Sequence, residues 1–188
     1  VVFLYLYLYL NLYPTAAYKP LVTKVRVNAE KIFDALVAAN KHPQMLNDQT
    51  RRMVCAAAQF HDIADHKYVQ DPNSKGIEEE LRKHFSDKAS ASLMNVIDAV
   101  SFSKERKARE AAGTPETPQS FVEKLGKVGS LLRDIISDAD KLEAIGSIGV
   151  QRCLQYTKES TLKKTGSEPT PEQLVLDLVQ HGEEKLFI

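Results

Sequence analysis

From Lys19 onward the apolar residues recur at steps of three and four, the spacing that lines one face of a helix. Val22, Val25, Ala29, Ile32, Phe33, Leu36 and Val37 predict a first core helix running down to Asn40. Asn47 and Asp48 are good N-caps for a second, which carries Met53, Val54, Ala57, Ala58 and Phe60. Asp71-Pro72-Asn73-Ser74 predicts a turn and Ile77 to Phe85 a short helix. A further helix with Leu93, Val96, Ile97 and Val100 is entered after Ser86-Asp87. Thr117-Pro118 opens the next, through Phe121, Leu125, Val128, Leu131, Leu132, Ile135 and Ile136, and the apolar spacing continues as Leu142, Ile145, Ile148 and Cys153. Thr170-Pro171-Glu172-Gln173 is a capping box with proline at the first helical position, opening a helix with Leu174, Leu178, Val179 and Leu186. Between these, Glu105 to Gln119 is a basic segment followed by a breaker-rich loop, and Lys158 to Pro171, rich in Thr, Lys, Gly and Pro, reads as a loop between helices. Gly146 and Gly149 are spaced for close helix-to-helix contact, and with no strand before them they are not a phosphate loop.

Val1 to Tyr13, VVFLYLYLYLNLY, breaks this pattern by alternating Leu and Tyr, which suits an extended strand. A membrane-spanning helix needs about 20 apolar residues, and a signal peptide needs a basic start and a small-residue cleavage site; the segment shows neither clearly. Exposed, such a strand is an aggregation hazard, so it is expected to pack on the domain or to lie outside the natural mature protein. The reading is therefore an atypical segment over 1–18 and an all-α domain over 19–188, large enough for one core without staples.

Charge and cysteine content narrow the partners. Lys plus Arg equals Asp plus Glu at 25 each, which gives no global field for nucleic acid or an anionic membrane. Neither partner is expected, and any attraction to phosphate must be local. Cys55 and Cys153 show no CxxC spacing, which excludes a zinc finger and predicts two buried core residues in a reducing, cytoplasmic setting.

Chemistry is concentrated where the Ala-rich second helix runs into His61 and Asp62, and where Asp138-Ala139-Asp140 interrupts another apolar helix. Two core helices thus bring carboxylate inward, which is costly unless a cation meets it. Imidazole nitrogen with carboxylate oxygens suits Mn, Mg, Co, Fe or Zn.

The stretches AAQFHDIADHKY (57–68) and DADKLEAIGSIGVQR (138–152), with Ser101-Phe102-Ser103-Lys104 between them, resemble the HD-domain superfamily of metal-dependent phosphohydrolases, in particular its small bacterial-type members. The resemblance covers most of residues 22 to 157. It implies an HD-type bundle of about six or seven helices and hydrolysis of a phosphoester or phosphoanhydride in a small phosphorylated molecule, most fittingly a nucleotide. It implies His61, Asp62 and Asp140 as ligands of a divalent metal, with Asp138 the weaker choice for the last. Asp65 would move a proton, while His66, Lys67 and Lys104 would face the anionic substrate. His42 and His84 are expected on the surface, and His181 in packing. The family's signature also has an early His, and this chain has none before His42; the resemblance puts Leu21 in its place. Three situations fit: a weaker site with three protein ligands, a disabled relative that binds a nucleotide or partner, or a foreign segment over Val1 to Pro20 in place of a His-bearing start.

Overall fold

The chain builds helices wherever the three- and four-residue spacing is uninterrupted, and a computed structural model describes residues 18–62, 74–101, 105, 107, 109–111, 113 and 119–186. Seven helices are defined among them: α1 (Tyr18–Ala38), α2 (Asp48–Phe60), α3 (Ser74–Arg82), α4 (Asp87–Ala99), α5 (Gln119–Leu142), α6 (Ser147–Thr165) and α7 (Pro171–Leu186). No strand occurs among the described residues, so the all-α expectation is met. Val1 to Tyr13, the Asp71-Pro72-Asn73 turn and the Thr117-Pro118 helix start lie outside them.

The caps explain where the first helices stop and start. After α1 the N–H of Asn40 donates to Val37 O and that of Lys41 to Leu36 O, both at 2.9 Å, with Asn40 at φ 50°. This is a left-handed helix stop that an asparagine tolerates better than most residues. Asn47 then caps α2: its side chain accepts from Gln49 N and Thr50 N at 3.0 Å, while Thr50 Oγ1 accepts from Asn47 N at 2.9 Å. The Thr170 box behaves as expected, Gln173 Oε1 accepting from Thr170 N at 3.0 Å and Thr170 Oγ1 from Gln173 N at 3.3 Å.

The chain forms two compact units, Val1–Ala139 and Asp140–Ile188. In the first, α2 packs on α1 and α4, and α3 on α4. Their meeting faces bury Val25, Phe33, Phe60, Leu81 and Leu93, in one cluster with Ile136 of α5. Ala56, Ala57 and Ala58 are buried too, and their small side chains let neighbouring helices close on α2. A polar seam also joins α1 to α2. Arg51 pairs with Asp34 and stacks 4.9 Å from the Phe33 ring, and Cys55 Sγ donates to Glu30 Oε1 at 3.1 Å. In the second unit α6 and α7 pack on each other.

Several boundaries differ from the expectation, each for a local reason. α5 is interrupted at Gly126 (φ 69°), so its apolar spacing spans two helical pieces. Gly146 does not serve a helix-to-helix contact: at φ 87° it sits in a region closed to side chains and starts α6, separating it from α5. A Cβ on Gly149 would lie 2.1 Å from Ala144 O, so the close approach made there is to the preceding turn. The expected loop from Lys158 is helical to Thr165; Thr and Lys are tolerated on an exposed helix, and the stop is Gly166, whose N–H donates to Leu162 O at 2.9 Å. Ser74, expected in a turn, already belongs to α3. In the basic segment, Glu105, Lys107, Arg109, Glu110 and Ala111 have helical backbone, and Glu105 is buried against arginine partners rather than lying on a solvated face. The two cysteines are half-buried rather than buried. Among the described residues no helix is long and apolar enough to cross a membrane.

Candidate metal centre

His61 is the residue that closes α2, with φ −55° and ψ −33°. Its ring Nδ1 lies 2.8 Å from Ala58 O, one of the carbonyls a helix C-terminus leaves without an intrahelical partner. A carbonyl only accepts, so Nδ1 carries the proton and donates it. In the neutral ring this leaves the lone pair at Nε2, which lies 3.3 Å from Asp62 Oδ2. A second ring proton or a divalent cation fits between these two atoms.

Asp140 supplies the third donor. The division between the units falls between Ala139 and Asp140, inside the last turns of α5, so Asp140 remains on the helix that buries Ile136 and Ala139. His61, Asp62 and Asp140 each bring one ligand atom into a group whose atoms all lie within 4.8 Å of one another, His61 buried and both carboxylates half-buried. Two donors 2.0–2.2 Å from one ion are at most about 4.4 Å apart. The widest separation therefore needs only a small inward movement, and the donor set suits a divalent ion.

Electrostatics favour the same occupant. α2 ends at Phe60 and α5 at Leu142, so two helix C-termini, each with partial negative charge, finish at the residues that carry these carboxylates. An imidazole nitrogen with two carboxylate oxygens fits Mn, Fe, Co, Zn or Mg and leaves positions open for other ligands.

The remaining expected site residues divide clearly. Asp138 is exposed and stays out of the group, and His42, His84 and His181 are exposed. Asp65, His66, Lys67 and Lys104 lie outside the described residues, as does the side chain of Leu21, whose backbone belongs to α1. No family model matches the chain, and neither the curated proteins nor the solved structures give a match.

Two features were missed in the sequence. Glu105, Arg133 and Ser137 form a buried polar cluster, for which Arg133 between Leu132 and Ile135 was the available signal. The other is Cys55, whose thiol is pushed from 9.0 up to about 12, first by burial and then by the hydrogen bond to Glu30, whose charge opposes a thiolate. Because the folded value is the higher one, the native state keeps a proton that the unfolded chain gives up. The resulting stabilisation is complete below pH 9 and is lost as pH rises toward 12. Iodoacetamide at pH 8 is accordingly expected to alkylate Cys55 about a thousandfold more slowly in the native protein than in urea. Peptide mapping of a time course measures this, and equal rates would contradict the assigned environment.

Proposed function

We propose that the chain is a metal-dependent phosphohydrolase of the HD-domain type, acting on a small phosphorylated substrate, with a nucleotide the class the motifs favour. The observation that carries this reading is the convergence of His61, Asp62 and Asp140, the residues the motif resemblance marks as ligands, within 4.8 Å. These three would hold the divalent ion. When bound, the ion supplies Lewis acidity toward a phosphoryl oxygen and acidifies water. Ala58 O holds the His61 ring in the tautomer that turns Nε2 toward the site. Asp65, three residues beyond Asp62, takes up a proton from the attacking water, and His66, Lys67 and Lys104 bind the substrate's negative oxygens and offset charge as it develops. Two cysteines without a paired spacing favour the cytoplasm as the place of action.

One observation favours a second reading, a catalytically impaired relative that binds a nucleotide or a protein partner: no His precedes His42, where the resemblance expects the first donor. A panel of nucleoside mono-, di- and triphosphates incubated with the protein and Mn(II) or Co(II) separates the two. Phosphate release that EDTA stops and metal restores is the expected result. Lack of stoichiometric metal together with no turnover of any member would favour the second reading and sink the metal-site assignment.

A further inference from the structure

We infer that Glu105 is a positioning residue for the metal centre: it grips the stripe of α5 that ends in Asp140 and so sets the rotation that aims this carboxylate. The inference rests on the metal-site reading above and adds a residue that reading does not use. Glu105 is 3 % exposed, and both of its carboxylate oxygens are engaged. Oε2 accepts from Arg133 Nη2 at 2.6 Å and from Ser137 Oγ at 3.2 Å, and Oε1 accepts from Arg109 Nε at 3.0 Å and Nη2 at 2.6 Å. Residues four and three apart on a helix share a face, so Arg133, Ser137 and Asp140 form one continuous row. Glu105 holds the first two members of that row, and the third is the metal donor.

Geometry makes the grip directional. The Arg133 guanidinium is further fixed by donating from Nε to Ala99 O at 3.2 Å, and it lies 4.5 Å from the Phe121 ring. Apolar packing alone tolerates small rotations of a helix, whereas a carboxylate bonded to two side chains one turn apart does not.

The test uses the full chain and Mn(II) itself. For Glu105→Gln we expect retained helical circular dichroism, Mn(II) affinity lowered about tenfold by calorimetry, and an altered electron paramagnetic resonance spectrum of the bound ion. A purely structural role would lower the melting temperature and leave the spectrum of bound Mn(II) unchanged. Should Glu105→Gln fail to fold, Glu105→Gln combined with Arg133→Met removes the grip together with the guanidinium buried against it, and the same affinity loss is expected. Wild-type affinity and spectrum in a folded variant, with Asp62→Ala losing the metal, would overturn the positioning role and leave the metal site standing. No Mn(II) binding by the wild type would overturn both.

Discussion

Arg133→Ala is expected to cost about 3–5 kcal/mol of stability, because it takes from a buried carboxylate its most deeply buried counter-charge rather than merely deleting a contact. Arg133 is 2 % exposed and donates to Glu105, Ala99 O and Asp134 Oδ1. With it gone, the Glu105 charge keeps Arg109 and Ser137 but loses its most deeply buried counter-charge. At about 2–4 °C per kcal/mol for a chain of this size, the melting temperature should fall by roughly 6–20 °C. The Asp134 contact contributes least. Burial raises its carboxyl pKa above 3.8 even though Arg133, 2.9 Å away, pulls it down. A folded value above the unfolded one means that the native state binds the proton more readily. Stability from this group is therefore present below pH 3.8 and is lost as pH rises through the folded value. Replacing Arg133 by Met together with Glu105 by Gln should recover most of the loss, since no buried Glu105 charge is then left without Arg133. A thermal melt of the two variants decides the matter. Equal destabilisation in both would show that Arg133 contributes packing against Phe121 and not charge compensation.

The same cluster marks where sequence reading stopped. Helical spacing and caps are local, so the Asn47 cap, the Thr170 capping box and the course of α1, α2 and α4 were legible in the order of residues alone. So was the juxtaposition of His61 and Asp62, because a polar pair that ends a buried apolar helix is costly unless something binds it. Glu105 was not legible, lying in a basic segment with a proline-rich continuation that resembles a solvated loop. Only the position of Arg133, 28 residues later, turns that segment inward. Likewise Lys158 to Thr165 has a loop's composition, but no residue before Gly166 forces a stop, and the packing of α6 on α7 keeps it helical. Gly146 misled for a related reason: spacing cannot distinguish a glycine that admits a neighbouring helix from one that turns the chain, whereas φ 87° does. What a sequence hides is therefore pairing across distance and backbone sign.

Asp62→Asn should reverse its effect on stability according to whether metal is present. In EDTA the wild type holds two carboxylates and one imidazole within 4.8 Å at the ends of two helices, so within this group even a doubly protonated ring offsets only one of the two negative charges. Replacing one carboxylate with a neutral amide of the same size relieves that repulsion, so the melting temperature of Asp62→Asn in EDTA should equal or exceed that of the wild type. With Mn(II) the order inverts. The wild type gains about 2.7 kcal/mol at a hundred times its dissociation constant, roughly 5–11 °C, and the variant gains little because its amide oxygen is a poor substitute for a charged donor. Groups that only orient a metal ligand already carry 10–100-fold of affinity or activity, so loss of the ligand itself should lower phosphate release by at least about a hundredfold. Asp138→Asn, four residues before the end of α5 and exposed, should melt and turn over as the wild type does in both conditions. The pattern to look for is the crossing. A wild type that melts at the same temperature with EDTA and with Mn(II), or a variant that gains as much from Mn(II) as the wild type, would mean that a proton, and not a metal, joins His61 to Asp62.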